Sequence, residues 1–152
     1  MQESLITSNL SEIQVAYSTK VKFKDMPKIT SSKDCESVLR NIWSPHIEFR
    51  EEFYLLLLNR ANKVIGWHCI SQGGLDSTVA DIRIIFSIAL KCVATGIIVA
   101  HNHPSGNLKP SESDIALTRK VKEAGKLLDI TLFDHLILSN EGYYSFADEG
   151  LL

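Results

Sequence analysis

His101 and His103 stand one residue apart at the end of an aliphatic run, Ile97-Ile98-Val99-Ala100, and a polar loop then leads to Ser111 and Asp114. In an extended chain residues i and i+2 point to the same side, so the two imidazoles project together while Asn102 points elsewhere. Convergent imidazoles suit a transition metal. Pro104, Ser105, Gly106 and Pro110 are residue types that fold a loop back sharply, and such a return brings Asp114, in the first turn of the next helix, into range as a third ligand. A catalytic zinc takes three protein ligands, keeps its fourth position for water and lowers that water's pKa from near 15.7 to roughly 7. Such a site makes hydroxide at neutral pH.

The same residues admit a plainer reading. Ser111-Glu112-Ser113-Asp114 is a capping box, in which Ser111 caps a helix and Asp114 at N3 reaches back to the cap's N–H. Histidines at strand ends also occur without metal. Asp134-His135 sits in an apolar strand and reads as a satisfied core histidine ahead of a pair supporting the site.

The elements that must position these groups follow from periodicity and punctuation. Residues 12–24 look extended, as a leading strand or hairpin, until Met26-Pro27 breaks the pattern. A helix capped at Ser31 or Ser32 carries Val38, Leu39, Ile42 and Trp43 and stops before Pro45. Residues 51–58 form a strand whose run of leucines implies burial on both faces, joined through residues 59–62 to a second strand at 63–70 in hairpin fashion. Gly73-Gly74 punctuates. Residues 79–93 repeat apolar positions at helical spacing (Ile82, Ile85, Phe86, Ala89, Leu90, Val93). Strand 97–101, a helix from Ser111, strand 130–138 and a short strand 143–146 complete the chain. Strands alternating with helices predict an α/β or α+β sandwich, a mixed sheet flanked by helices.

Bulk properties narrow the function classes. The chain has 152 residues, 45% hydrophobic and 22% charged, which suits one globular domain with a proper core. Its net charge of −2 gives no overall field toward a polyanion, and Arg119, Lys122 and Lys126 read as a solvated helix face. Cys35, Cys69 and Cys92 are odd in number and set in apolar surroundings, which argues against a disulfide framework and for a reducing, cytoplasmic setting. No run approaches the ~18 apolar residues of a membrane span, and the N-terminus has neither a basic start nor an apolar core, so the expectation is a chain without membrane contact or signal peptide. A nucleobase deaminase would need H-x-E followed by P-C-x-x-C, and a gluzincin H-E-x-x-H; the sequence has neither.

The whole pattern, His101-x-His103, seven residues, Ser111, two residues, Asp114, matches the JAMM (JAB or MPN-plus) metalloprotein signature at every position. R-E-x-F at residues 50–53, A-H-N-H-P-S-G at 100–106, D-H-L-I at 134–137 and Y-x-S-F at 143–146 resemble one branch of it, the RadC-like JAB domain proteins, over residues 29–152. Residues 1–28 are then an N-terminal extension to a single domain. The resemblance implies a cytidine-deaminase-like three-layer sandwich and one zinc per chain held by His101, His103 and Asp114. It also implies an upstream glutamate as general base and Ser111 as oxyanion support. Glu48, Glu51 and Glu52 compete for the base; the R-E-x-F match selects Glu51, with Glu52 second. Adjacent strand residues face opposite sides, so only one of these two can face the metal.

The function so implied is zinc-dependent hydrolysis of a peptide or isopeptide bond in a protein or peptide substrate. Two alternatives belong to other classes: a DNA-repair-associated DNA-binding protein, using the Arg119/Lys122/Lys126 face, and a non-catalytic interaction module on the same fold. Residues 1–28 have neither the length nor the glycine hairpins of a helix-hairpin-helix module. The oligomeric state is open, with the edge at residues 12–24 able to pair between chains.

Overall fold

The computed structural model describes residues 9–73 and 79–152. Five strands, β1 (Glu52–Leu58), β2 (Val64–Gln72), β3 (Gly96–Asn102), β4 (Thr131–Leu138) and β5 (Tyr143–Ser145), form one sheet in the order β2-β1-β3-β4-β5. It is mixed: β3 and β4 are parallel, and the other neighbours are antiparallel. A parallel pair needs a long crossover, and α3 (Glu112–Leu127) supplies it. Against one face packs α1 (Ser32–Ile42), through Cys35 and Leu39; against the other pack α2 (Ile82–Lys91), through Ile85, Phe86 and Ala89, and α3, through Val121. The result is an α+β sandwich of three layers consistent with the JAB/MPN fold.

Every residue of β1 is buried because the strand lies inside the sheet with helices on both sides. Leu55 and Leu57 enter the α2/α3 core, and Leu56 and Leu58 the α1 core. At about 1.5–3 kcal/mol for each fully buried leucine, this strand is the main apolar anchor of both layers. Ser31 caps α1 by accepting the Asp34 N–H, and Asp81 caps α2 by accepting that of Arg83. The cap at Asp81 starts α2 three residues later than the apolar repeat alone suggested. Leu90 is exposed, and Val93 lies beyond the helix end, also exposed.

Residues 12–24 depart from expectation. They carry no strand, only a 3₁₀ turn at Phe23–Asp25, and Ile13 and Val15 are 83% and 72% exposed. Alternation is a property of the segment, whereas a strand needs a partner, and among the described residues the first ladder contact of this region is the bridge from Lys28 to Lys63. No helix among the described residues is long and apolar enough to cross a membrane.

One buried carboxylate fixes the entry to β1. Glu52 is fully buried on the α1 side; Ser44 Oγ (2.7 Å) and Tyr54 OH (3.1 Å) donate to one oxygen and Arg50 Nε (2.9 Å) to the other. Burial works to raise its pKa, but the bonds from Ser44, Arg50 and Tyr54 outweigh that and hold it below the ordinary 4.5. A carboxylate depressed in the folded state stabilises above the unfolded pKa and loses that contribution as pH falls through the folded one. Glu52→Gln should therefore lower the stability measured by urea unfolding by about 1–3 kcal/mol at pH 7, with the gap to wild type closing as pH drops below about 4.5.

Candidate metal centre

His101 lies near the C-terminal end of β3, and His103 extends the β3/β4 ladder by donating its N–H to the Leu138 carbonyl (2.9 Å). The turn after it closes when Gly106 N–H bonds the His103 carbonyl (3.0 Å); Gly106 has φ +84°, a backbone shape that glycine adopts without strain. The loop returns to α3, whose first turn presents Asp114. His101 Nε2 and His103 Nε2 are 3.0 Å apart, and the Asp114 carboxylate oxygens lie 3.3 Å from the first and 3.4 Å from the second. For ligand atoms about 2.0 Å from a tetrahedral zinc, neighbours are spaced about 3.3 Å. These three residues form a group that could hold a metal ion.

The hydrogen bonds behind the histidines determine which nitrogens carry lone pairs. Thr118 Oγ1 donates to the Asp114 backbone carbonyl (2.7 Å), so toward His135 it is an acceptor, and His135 Nδ1 carries the hydrogen of that 2.6 Å contact. His135 Nε2 is then bare and accepts from His101 Nδ1 (2.7 Å), which leaves His101 Nε2 without hydrogen. His103 Nδ1 donates to the Asn107 carbonyl (2.6 Å), which leaves its Nε2 bare as well. Two lone pairs and a carboxylate thus converge with no donor hydrogen among them, the arrangement a cation satisfies.

The charges agree. His135 is fully buried, and burial, reinforced by nearby His101, pushes its pKa well below the ordinary value and keeps it neutral. Burial alone would raise Asp114, but the neighbouring His101 and His103 hold its pKa well below the carboxylate range, and the Asp114 carboxylate in turn raises that of His103. A carboxylate that favours a proton on His103 favours a metal there for the same electrostatic reason. The rings are walled by Phe53, parallel to His101 at 6.1 Å, and Phe146, parallel to His135 at 4.6 Å.

Asp114 combines the two roles that the sequence set in competition. Its Oδ2 accepts the Ser111 N–H (2.8 Å) while Ser111 Oγ accepts the Asp114 N–H (3.0 Å), a complete capping box, and the same carboxylate faces both imidazoles. The cap orients the carboxylate.

The three glutamates separate. Glu51 precedes β1 and lines a cleft of about 310 Å³ with His103, Pro104, Ser105, Asn107, Lys109 and Ser111, close enough to contribute to raising His103. Glu52 points to the opposite face into the bonds described above. Glu48 accepts from Asn140 Nδ2 (2.6 Å) at the β4–β5 turn. Arg119 and Lys126 are exposed on α3.

One feature was ranked second in the sequence and another was left out. His135, read as a core histidine, is buried and satisfied but bonds directly to His101. Its orientation depends on a bulge: Ile97 pairs with Leu132 and Ile98 with Asp134, so Phe133 is an extra residue and the alternation of β4 slips by one. That slip puts His135 on the face of Val99 and His101, while Asp134 turns away to Ser145 Oγ (2.6 Å) and the Ala147 N–H (3.0 Å). Gly96 accommodates the bulge, since a Cβ there would lie 2.2 Å from the Phe133 ring. Thr118, one helical turn after Asp114, was the omission. Its i, i+4 spacing from Asp114 was the available signal.

With this geometry in place, the sequence can be set beside known proteins. Residues 29–151 match the family described as the RadC-like JAB domain, and the chain belongs to that family. Among curated proteins it is 47% identical over 128 residues to a UPF0758 protein of Flavobacterium johnsoniae, covering 83% of this chain and 54% of that one. It is 45% identical over 138 residues to a UPF0758 protein of Porphyromonas gingivalis, covering 89% and 60%. The chain spans little more than half the length of these relatives.

Because the Thr118–His135 relay sets the His101 tautomer, Thr118→Val should weaken the binding of a divalent metal ion here about tenfold and His135→Gln by about 10–100-fold, measured by competition with a chromophoric chelator. Both variants should keep the far-UV circular dichroism of the wild type.

Proposed function

We propose that this domain is a zinc-dependent metallohydrolase that cleaves an amide bond, a peptide or isopeptide bond in a protein substrate. The observation that carries the reading is the convergence of three bare donor atoms, on His101, His103 and Asp114, at a cleft edged by Glu51 and Ser111. Zinc is favoured over harder cations because two of the three ligands are imidazoles. When bound there it would supply a Lewis acid for the scissile carbonyl and an acidified water.

The chain's own groups divide the remaining work. Glu51, on the cleft side of β1, takes a proton from the attacking water at its carboxylate and returns it to the departing amine. Ser111 Oγ accepts the Asp114 N–H and lies 2.9 Å from Ser113 Oγ, which can donate to it; in that arrangement the Ser111 hydroxyl hydrogen turns to the oxygen on which negative charge develops. Phe53 and Phe146 keep the rear of the imidazoles dry, which strengthens every charge interaction in front of them. Three free thiols, two of them buried, are compatible with work in a reducing compartment such as the cytoplasm.

The test uses protein purified without a histidine tag, zinc content by plasma mass spectrometry, and hydrolysis of a proteome-derived peptide mixture and of lysine-linked isopeptides. About one zinc per chain is expected, lost in Asp114→Ala. Glu51→Gln should keep the zinc and lose about 10²–10⁴-fold in hydrolysis rate. A Glu51→Gln variant that retained both zinc and full activity would sink the base assignment, and a wild type that took up no zinc when supplied with it would sink the metallohydrolase.

A further inference from the structure

The residue between the two histidines is fully buried and makes three hydrogen bonds, all to one short segment. Asn102 Oδ1 accepts the Glu52 N–H (2.7 Å), and Asn102 Nδ2 donates to the Ile47 carbonyl (2.7 Å) and the Arg50 carbonyl (2.8 Å). A backbone N–H can only donate and a carbonyl can only accept, so these partners fix which end of the amide is which.

These bonds bear on Glu51 more than on the residues that make them. The peptide group before Glu51 carries the Arg50 carbonyl, held by Asn102 Nδ2. The peptide group after it is held at both ends, its N–H by Asn102 Oδ1 and its carbonyl, that of Glu51, by the Gly73 N–H (2.8 Å). With both flanking peptide planes tied, the Glu51 backbone torsions are set, and with them the direction of its Cα–Cβ bond. The β1/β3 register, Phe53 opposite His101, continued two residues outward, sets Glu51 opposite His103.

We propose that Asn102 is a positioning residue, holding the 47–52 segment so that Glu51 is directed at the metal side of the cleft. The inference rests on reading Glu51 as the proton-transferring group. It also accounts for the residue type: one planar side chain must offer an acceptor and two donor hydrogens within the reach of a single Cγ. Aspartate lacks the donors, serine has one, and glutamine is a methylene longer.

The experiment loads the chain with cobalt(II), whose visible spectrum responds to groups around the metal, and follows amide hydrogen exchange of residues 47–52. Asn102→Ala should bind one cobalt per chain, reproduce the spectral change of Glu51→Gln, add nothing further in the Glu51→Gln background, and exchange the Glu52 amide about tenfold faster or more. Asn102→Asp, which keeps the acceptor and loses both donors, should shift the spectrum in the same direction and serves if the alanine variant does not fold. Ile85→Ala, a core truncation away from the segment, should leave the spectrum of the wild type and controls for general loosening. A wild-type spectrum in the Asn102 variants beside an altered one in Glu51→Gln overturns the positioning role and leaves the base reading standing. An unaltered spectrum in Glu51→Gln overturns the base reading, and the positioning role with it.

Discussion

The pleat of β3 across three residues is the constraint on which the rest of the molecule turns. His101 and His103 project to the α2/α3 side and Asn102 to the α1 side, and no rotamer can exchange them, because successive side chains of a strand leave it in opposite directions. The two sides then do different work. One gathers nitrogen donors over the N-terminal turn of α3, while the other reaches across to the segment that enters β1. A slip of one residue would put an amide among the donors and bury two imidazoles against Ile47 and Arg50. The apolar residues guard against that slip: Ile97 and Val99 belong to one core, Ile98 and Ala100 to the other.

Local rules state most of this arrangement, and the exceptions share one physical origin. The histidine pair, the capping box, the α1 cap and the doubly buried leucine strand were all legible, since each depends on residues within one turn or one strand. The orientation of His135 was not. It depends on Phe133 standing outside the β3/β4 register, and that on Gly96 in a different strand having no Cβ to exclude the ring. Pairwise long-range compensations of this kind leave no periodic trace. The N-terminal segment failed in the opposite sense: its alternating apolar pattern was visible, but the partner strand that turns a pattern into structure was not among the described residues.

The site also shows how a buried polar group is accommodated without an ion pair. His135 lies in a shell of Phe53, Phe146 and backbone, where a charged imidazole would be costly. It stays neutral because each nitrogen has one complementary partner, a hydroxyl acceptor on one side and an imidazole donor on the other. Glu52 takes the other route, remaining ionised with three donors around it. The sheet thus carries a neutral polar relay on one face and a satisfied charge on the other, neither open to solvent.

The relay behind His101 ends on the residue in front of it. From Asp114 Oδ1 the contacts run to His101, through its ring to His135, through that ring to Thr118, and from Thr118 back to the Asp114 carbonyl. Two imidazoles, a hydroxyl and one turn of helix close a loop, much as a synthetic chelator is closed before it meets its ion. Within it the His101 ring cannot turn without breaking its bond to His135, nor the His135 ring without breaking those to His101 and Thr118. The ordering entropy that an open-chain donor set would surrender on capture is therefore surrendered when the domain folds, and a cation that bound here would meet donors already in place.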